Sequence, residues 1–381
     1  MTVRVGIIGT GFAAETHADA LRRLPGVELV GVAGRNAERA SESARKIGAA
    51  HAYQEPGELI IDPEIDAVHV CSTNHLHAQY ASEALLAGKH VICEKPLAID
   101  DQSANDLVAI AETAAASGIV SAVCFNYRYY PMVRQLQTLI AAGEYGPVHF
   151  VHGVYLQDWL LYDTDWNWRI DPSENGPSRT VADIGSHWID LAQHISGERV
   201  AEVLADLGTL HPVRQRPLRE TSTFEDGGDD GEFEEVEIDS EDFASVLVRF
   251  ESGARGTFAV SQVSAGRRNR LTIEVDAATG ALAWDQEQPD SAWIGRRREP
   301  SLVFPRDAAL GVPLTRTPAG HPEGWRSTFY NLFSDFYGAV EAARSGSDHD
   351  GAFASFAEGR RTGLVVDAIL RSHESGTWTS I

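Results

Sequence analysis

Val3-Arg4-Val5-Gly6-Ile7-Ile8-Gly9-Thr10-Gly11-Phe12-Ala13-Ala14 places an apolar, β-branched run directly before a glycine-rich turn. Such a run reads as a strand, and the residues after the turn predict a helix over 15–24. The pattern Gly-x-Gly-x-x-Ala has a mechanism when it joins a strand to a helix. Gly9 allows the tight turn, Gly11 lets the backbone approach a pyrophosphate, and the small Ala14 lets the helix pack close to the strand. The helix N-terminus, with Phe12 and Ala13 in its first turn, then faces the phosphates. Glycine-rich turns are common, so the motif alone is weak; a second strand at 28–33 supplies the context that turns it into an expected dinucleotide site.

Strands and helices continue to alternate outward from this stretch. Helices are expected at 36–47, opened by an Asn36 cap, at 77–87, stopped at Gly88, and at 101–116, ended by Gly118; strands are expected at 66–71, 91–93 and 120–125. Residues 1–125 therefore read as an α/β, Rossmann-type domain with a parallel sheet. After Pro131 the pattern changes. A helix at 132–142 and a strand at 148–155 lead into an aromatic-rich loop at 157–169 and a short helix at 187–195. Strand-like runs then follow without helices between them at 203–207, 243–250, 256–263, 271–275 and 281–284, and helices at 325–344 and 353–372 close the chain. Residues 126–381 thus read as an α+β domain around a large, mostly antiparallel sheet.

The 381 residues, 43% hydrophobic, are enough for two cores, and their longest apolar runs fall far short of the ~20 residues a membrane span needs. The N-terminus lacks the charged start and long apolar segment of a secretory signal, so a cytoplasmic protein is expected. A formal charge of −23 argues against nucleic acid and anionic membrane as partners. Twelve of the acidic residues and no Lys or Arg fall in 220–242, together with three glycines; this stretch reads as a solvated acidic loop insertion rather than a cation site. Neither HExxH nor paired CxxC spacing occurs, and no metal is expected. Cys71, Cys93 and Cys124 read as buried free thiols of a reduced compartment. Only Lys46, Lys89 and Lys95 stand among the 32 basic residues, so a retained lysine hints at a position where a tunable amine is needed.

Dinucleotide sites usually carry an acidic residue after the second strand, on the ribose 2′-hydroxyl. Here that position reads Ala33-Gly34-Arg35-Asn36. A missing carboxylate removes a repulsion against a 2′-phosphate, and Arg35 supplies a cation for it, so NADP is the expected cofactor; Arg35 stacked on the adenine of NAD is the alternative. Glu94-Lys95-Pro96 follows a strand whose C-terminal end lines the crevice of an open sheet, where Lys95 can reach the nicotinamide side.

Lys89-His90-Val91-Ile92-Cys93-Glu94-Lys95-Pro96-Leu97, taken with Asp183-Ile184-Gly185-Ser186-His187-Trp188-Ile189-Asp190, resembles the glucose–fructose oxidoreductase/inositol dehydrogenase (Gfo/Idh/MocA) family over essentially the whole chain. The resemblance implies NAD(P)-dependent oxidation of a sugar or cyclitol hydroxyl, with Lys95, Asp183 and His187 at the family's catalytic positions. It also implies a homodimer or homotetramer formed through the open sheet of the second domain. Cys71-Ser72-Thr73-Asn74-His75-Leu76-His77 resembles the family's loop beneath the nicotinamide, although the usual Pro between Thr and Asn is absent. Ser72, Asn74 and Glu94 are placed near the cofactor on that basis, with His77 either in the cofactor loop or at the start of the next helix. Phe125 to Tyr129 resembles the segment that enters the substrate pocket and brings Arg128, while Gly320-His321-Pro322 brings His321.

Elementary chemistry is compatible with these roles. Removing hydride from a carbinol carbon requires its hydroxyl proton to leave as well, so a base must reach that oxygen. Asp183 and His187 share a face if their segment is helical, and either His187 or Lys95 can take the proton, with Asp183 binding an adjacent hydroxyl or orienting His187. Capping and packing roles for Asp183 and His187 are the plain alternative. In the aromatic loop, Trp166 and Arg169 are candidates for contact with a sugar ring, against an equally plain reading as core filler. Two rivals to a dehydrogenase remain: an enzyme that keeps its cofactor bound and isomerises or cleaves a glycoside by transient oxidation, and a non-catalytic nucleotide sensor.

Overall fold

The computed structural model describes residues 2–218 and 232–381, which form two compact units. The first comprises Met1–Asn126 and Arg326–Gly363. Its six strands β1 (Val3–Ile8), β2 (Val27–Ala33), β3 (His51–Tyr53), β4 (Ala67–Val70), β5 (His90–Cys93) and β6 (Ser121–Val123) pair in parallel in the order β3-β2-β1-β4-β5-β6. Helices α1 (Phe12–Leu21), α2 (Ala37–Ile47), α3 (Pro56–Ile61), α4 (His77–Leu86) and α5 (Asp101–Ala115) connect them. The strand order reverses between β1 and β4, and in open sheets of this kind the crevice for a ligand lies at the carboxyl ends of the strands at that switch. Local chemistry sets the helix ends: the side chains of Asn36 and Asp100 accept from the backbone N–H of Arg39 and Ser103. β3 and α3, three and six residues long, were not anticipated from the sequence. Their residues form neither a β-branched run nor a helix-length apolar period.

The second unit comprises Tyr127–Trp325 and Leu364–Ile381. After α6 (Pro131–Ala141) come β7 (Val148–Leu156), the single turn α7 (Pro172–Asn175) and α8 (Ser186–Ser196). Strands β8 (Val200–Gly208), β9 (Val213–Pro217), β10 (Phe233–Glu237), β11 (Phe243–Phe250), β12 (Arg255–Ser261), β13 (Arg270–Ala277), β14 (Ala281–Asp285), β15 (Ser291–Gly295) and β16 (Leu302–Pro305) follow. Two long helices, α9 (Trp325–Ser345) and α10 (Phe356–Ser375), and β17 (Thr379–Ser380) end the chain. Nine of these strands form one sheet, β16-β15-β14-β13-β7-β12-β11-β8-β17, antiparallel at every junction except the parallel pair β7 and β12. Its core contains Val151, Phe258 and Ile273 from the sheet with Leu136 of α6 and Trp188 of α8. The indole of Trp188 stacks on Phe258 with centroids 4.4 Å apart and donates to the Thr272 carbonyl at 3.1 Å. Gly153 makes this possible, since a Cβ there would lie 2.0 Å from that carbonyl oxygen.

Two differences from the sequence reading have physical causes. Residues 326–363 fall with the first unit, whereas the sequence reading assigned everything after 125 to the second half; a helix pattern does not say which sheet its apolar face covers. The acidic stretch 220–242 is also not a solvated loop throughout. Positions 220–231 lie outside the described residues, but β10 pairs with β9, and Glu241 and Asp242 are buried. Buried Arg179 and Arg214 pair with Asp242, and Glu241 accepts from the Ser178 hydroxyl and the N–H groups of Arg179 and Val181, partners of which the local sequence holds no hint.

Candidate active site

Gly9 has φ +131°, and a Cβ at this position would stand 2.2 Å from the carbonyl oxygen of Cys71 at the end of β4. Glycine is therefore obligatory where the two central strands end side by side. Gly11 caps α1 and faces open space where a side chain would otherwise stand, and Phe12 beside it is exposed. This is room for a pyrophosphate at a helix N-terminus, so the residues fit a dinucleotide. Ala13 is half-buried in the first turn. Arg35 is exposed just beyond β2, with Nη2 3.4 Å from Thr73 Oγ1 in the loop after β4. In that loop Asn74 is buried and Ser72 half-buried.

Glu94, Lys95 and Pro96 leave the end of β5, and the Lys95–Pro96 bond is cis. Lys95 is half-buried. The Glu94 carboxylate accepts from the Lys95 backbone N–H at 3.2 Å and meets Nε2 of the fully buried His17 of α1 at 2.9 Å. Burial alone would push the Glu94 carboxyl up; its hydrogen bond to His17 and the charges around it overcome this and hold it at about 2. Burial lowers the pKa of His69, whose Nδ1 is 2.8 Å from His17 Nδ1 and whose Nε2 is 2.8 Å from the Tyr337 hydroxyl. His77 is the first residue of α4; its Nδ1 lies 2.6 Å from the Pro96 carbonyl and its Nε2 3.1 Å from that of Ser72. Burial pushes the Cys71, Cys93 and Cys124 thiols up, keeping them protonated.

Asp183 and His187 belong to the second unit. Val181–Gly185 is a π-helical turn that runs into α8, so Asp183 sits in a widened turn four residues before His187. Such turns are rare and concentrate at functional sites. The Asp183 carboxylate is held from both sides: Arg169 Nε donates to Oδ1 at 3.1 Å and Gln262 Nε2 to Oδ2 at 2.9 Å. His187 is buried with the ring of Tyr127 4.6 Å away and that of Tyr155 6.3 Å away. The two phenols lie 2.6 Å apart, and Tyr155 donates to Asn269, which also accepts from Gln157, itself the acceptor of the Trp159 indole N–H. Burial raises both phenols' pKa, so the network around the imidazole is neutral and rich in hydrogen bonds.

Three residues expected at the substrate are engaged elsewhere. The Arg128 guanidinium is buried in a bidentate pair with Asp190, Nε to Oδ2 at 2.9 Å and Nη2 to Oδ1 at 2.6 Å, which is a packing role. Trp166 packs on Leu160, Ile170 and Ile238 with Arg216 over its ring. His321 lies in an exposed turn whose carbonyl accepts from Arg306. The sequence reading held Tyr127 only as part of the 125–129 segment and missed Gln262, Tyr155 and Asn269, which topology alone assembles. It also missed His17, although Ala14, His17, Ala18 and Leu21 mark the buried face of α1 and put the ring on it. Two groupings of metal-capable side chains occur among the described residues, His17-Glu94-Cys124 and His152-Glu274-Asp276; the first is hydrogen-bonded within itself and the second is half-exposed on the sheet.

Residues 3–121 match a family model described as the oxidoreductase family, NAD-binding Rossmann fold, and residues 133–283 match the GFO/IDH/MocA C-terminal domain. The chain belongs to the GFO/IDH/MocA oxidoreductase family. Within the family it is 32% identical to the levoglucosan dehydrogenase of Pseudarthrobacter phenanthrenivorans, over all of this chain and 98% of the relative. It is 29% identical to the myo-inositol 2-dehydrogenase of Thermotoga maritima over 67% of each. Among solved structures it is similar to an oxidoreductase domain protein from Kribbella flavida, with a TM-score of 0.89 and 31% identity, covering 100% and 99% of the two chains. A levoglucosan dehydrogenase in complex with NADH and levoglucosan is similar with a TM-score of 0.87 and 28% identity, over 100% and 99%. The Rossmann-type fold and the sheet of the second unit are those of GFO/IDH/MocA sugar and cyclitol dehydrogenases. No helix among the described residues is long and apolar enough to cross a membrane.

Proposed function

We propose that this GFO/IDH/MocA protein oxidises a secondary hydroxyl of an uncharged sugar, anhydrosugar or cyclitol. The observation that carries this reading is the Asp183 cluster. Arg169, the cation of that cluster, pairs with Asp183 and stacks on Trp168 with its Cζ 4.4 Å from the ring centre. It is therefore not set to receive a phosphate, while the neutral phenols and amides beside His187 suit hydroxyl groups. The naming of relatives for levoglucosan and myo-inositol supports the same class.

Gly9, Gly11, Ser72 and Asn74 would hold a nicotinamide dinucleotide, which supplies a hydride acceptor. In this reading Lys95 as an ammonium ion stabilises the alkoxide that develops as the hydroxyl proton leaves, and His187 takes that proton, or Lys95 relays it. Asp183, its two oxygens already accepting from Arg169 and Gln262, fixes an adjacent hydroxyl. Arg35, standing after β2 where an acidic residue would otherwise hold the ribose 2′-hydroxyl, favours NADP.

Turnover followed at the reduced-nicotinamide band, with each cofactor and a panel of sugars, inositols, anhydrosugars and sugar phosphates, tests this. Stoichiometric release of reduced cofactor with uncharged polyols, and little with phosphates, is expected; the reverse preference overturns the substrate class. Arg35→Ala is expected to lower NADP efficiency about tenfold and leave NAD efficiency alone, and equal loss with both would refute its role. Self-association through the second unit's sheet belongs to the same proposal: Leu247, 47% exposed, and Phe243 lie on the face of β11 turned away from the core. Leu247→Arg is expected to lower the oligomer mass seen by light scattering, and an unchanged mass argues against this face.

A further inference from the structure

Lys95 needs its amine held to within about an ångström of the reacting oxygen, because misplacement of that size costs on the order of 10²-fold in rate. A lysine side chain is long, so what can be fixed is its backbone. The structure fixes it on both sides. Before Lys95, the Glu94 N–H donates to the Val70 carbonyl at 2.9 Å, and the carboxylate of Glu94 folds back to accept the Lys95 N–H. After Lys95, the Pro96 carbonyl meets the His77 ring.

A chain of buried hydrogen bonds ends on Glu94. An ionised carboxylate only accepts, so His17 must carry its proton on Nε2. The other ring nitrogen of His17, Nδ1, meets His69 Nδ1 at 2.8 Å, and His69 Nε2 meets the Tyr337 hydroxyl at 2.8 Å. Tyr337, His69 and His17 thus form a continuous hydrogen-bonded chain that ends on the Glu94 carboxylate. His17, His69, His77 and Tyr337 are all buried, from 0% to 6% exposed, and belong to the first unit.

We infer that His17 and His77 are positioning residues for Lys95, one holding Glu94 and the other holding Pro96, so that the lysine amine is presented from a backbone clamped at both neighbours. The inference rests on the catalytic reading of Lys95 for its effect on rate, but the placement of the amine is testable without it. Merely filling the core would make any residue of matching volume equivalent; holding Lys95 requires a donor at the right atom. Glutamine reproduces the Nε2 donor of His17 and asparagine the Nδ1 donor of His77, whereas methionine fills either space without an N–H.

The chain has only three lysines, so reductive ¹³C-methylation of the full-length protein gives few signals, and that of Lys95 is the one lost in Lys95→Arg. His17→Met and His77→Met are expected to move the Lys95 signal and its titration midpoint, to leave that of Lys46 in place, and to lower kcat about 10–100-fold with KM nearly constant. His17→Gln and His77→Asn are expected to keep the wild-type Lys95 signal and most of the turnover. If methionine and amide variants behave alike, or if Lys95 is unmoved in methionine variants with wild-type circular dichroism, the inference fails. Should the methionine variants not fold, a displaced Lys95 signal in the amide variants overturns it and a wild-type signal supports it. A wild-type protein that oxidises no polyol would refute the proposed function, while the lysine signals still decide the positioning.

Discussion

Lys95→Ala is expected to lower kcat by about 10²–10⁴-fold, the range supplied by a positioned proton-transfer or oxyanion-stabilising group, with nucleotide affinity unchanged. The split follows from the proposed role, since the amine meets the reacting oxygen and not the pyrophosphate. Lys95→Arg separates the two possible duties. A guanidinium stays protonated and can stabilise developing negative charge, but it cannot give and take a proton near neutrality. Substantial recovery by arginine assigns Lys95 to electrostatics and leaves the proton to His187; none assigns it to proton transfer. Binding of reduced cofactor followed by fluorescence, alongside steady-state rates, reads both quantities. Full turnover in Lys95→Ala with normal cofactor binding would remove the residue from the mechanism.

Asp242→Asn is expected to destabilise the second unit by about 3–5 kcal/mol, the cost of leaving buried charge uncompensated. The Asp242 carboxylate is fully buried and bonded to Arg179 and Arg214, themselves fully buried. Arg214 also donates to the carbonyls of Leu160 and Tyr162, and the Glu241 carboxylate accepts from the N–H groups of Arg179 and Val181, just before Asp183. Losing Asp242 therefore loosens the aromatic loop and the π-helical turn together. Burial favours the neutral acid, but the two arginine charges overcome it and hold the carboxyl below its usual range. A pKa lowered on folding gives stability that is present above the unfolded value, about 3.9, and lost as pH falls through the folded one. The gap between wild type and Asp242→Asn should thus shrink in acid. All eight tryptophans lie in the second unit, so their fluorescence during urea unfolding reports this unit alone. An equal midpoint for both proteins at neutral pH would show that the ion cluster contributes nothing.

The same two regions show how far the residues could be read in order. Gly9, Gly11 and the Glu94-Lys95-Pro96 stretch were legible because their chemistry is local: a turn, a helix N-terminus and a strand end are each made by neighbours in sequence. Arg128 shows the limit of that locality. Its position suggested a pocket, but Asp190, 62 residues away, engages it inside the fold. Glu241 and Asp242 looked solvated because their partners stand far from them along the chain: Arg179 and Arg214 for Asp242, and Ser178 with the N–H groups of Arg179 and Val181 for Glu241.

By itself the sequence determined the parallel nucleotide-binding sheet, the change to a mainly antiparallel second sheet, and the glycine, lysine and histidine positions on which the chemistry is proposed. Periodicity and turn residues carry that information because backbone hydrogen bonding and side-chain alternation repeat over a few residues. Only the tertiary structure decided which buried charges meet, that Asp183 lies in a π-helical turn between Arg169 and Gln262, and that two buried histidines flank Lys95. Those outcomes depend on pairing across long separations, where a buried polar group must find its partner from another element and nothing in the local sequence names which one.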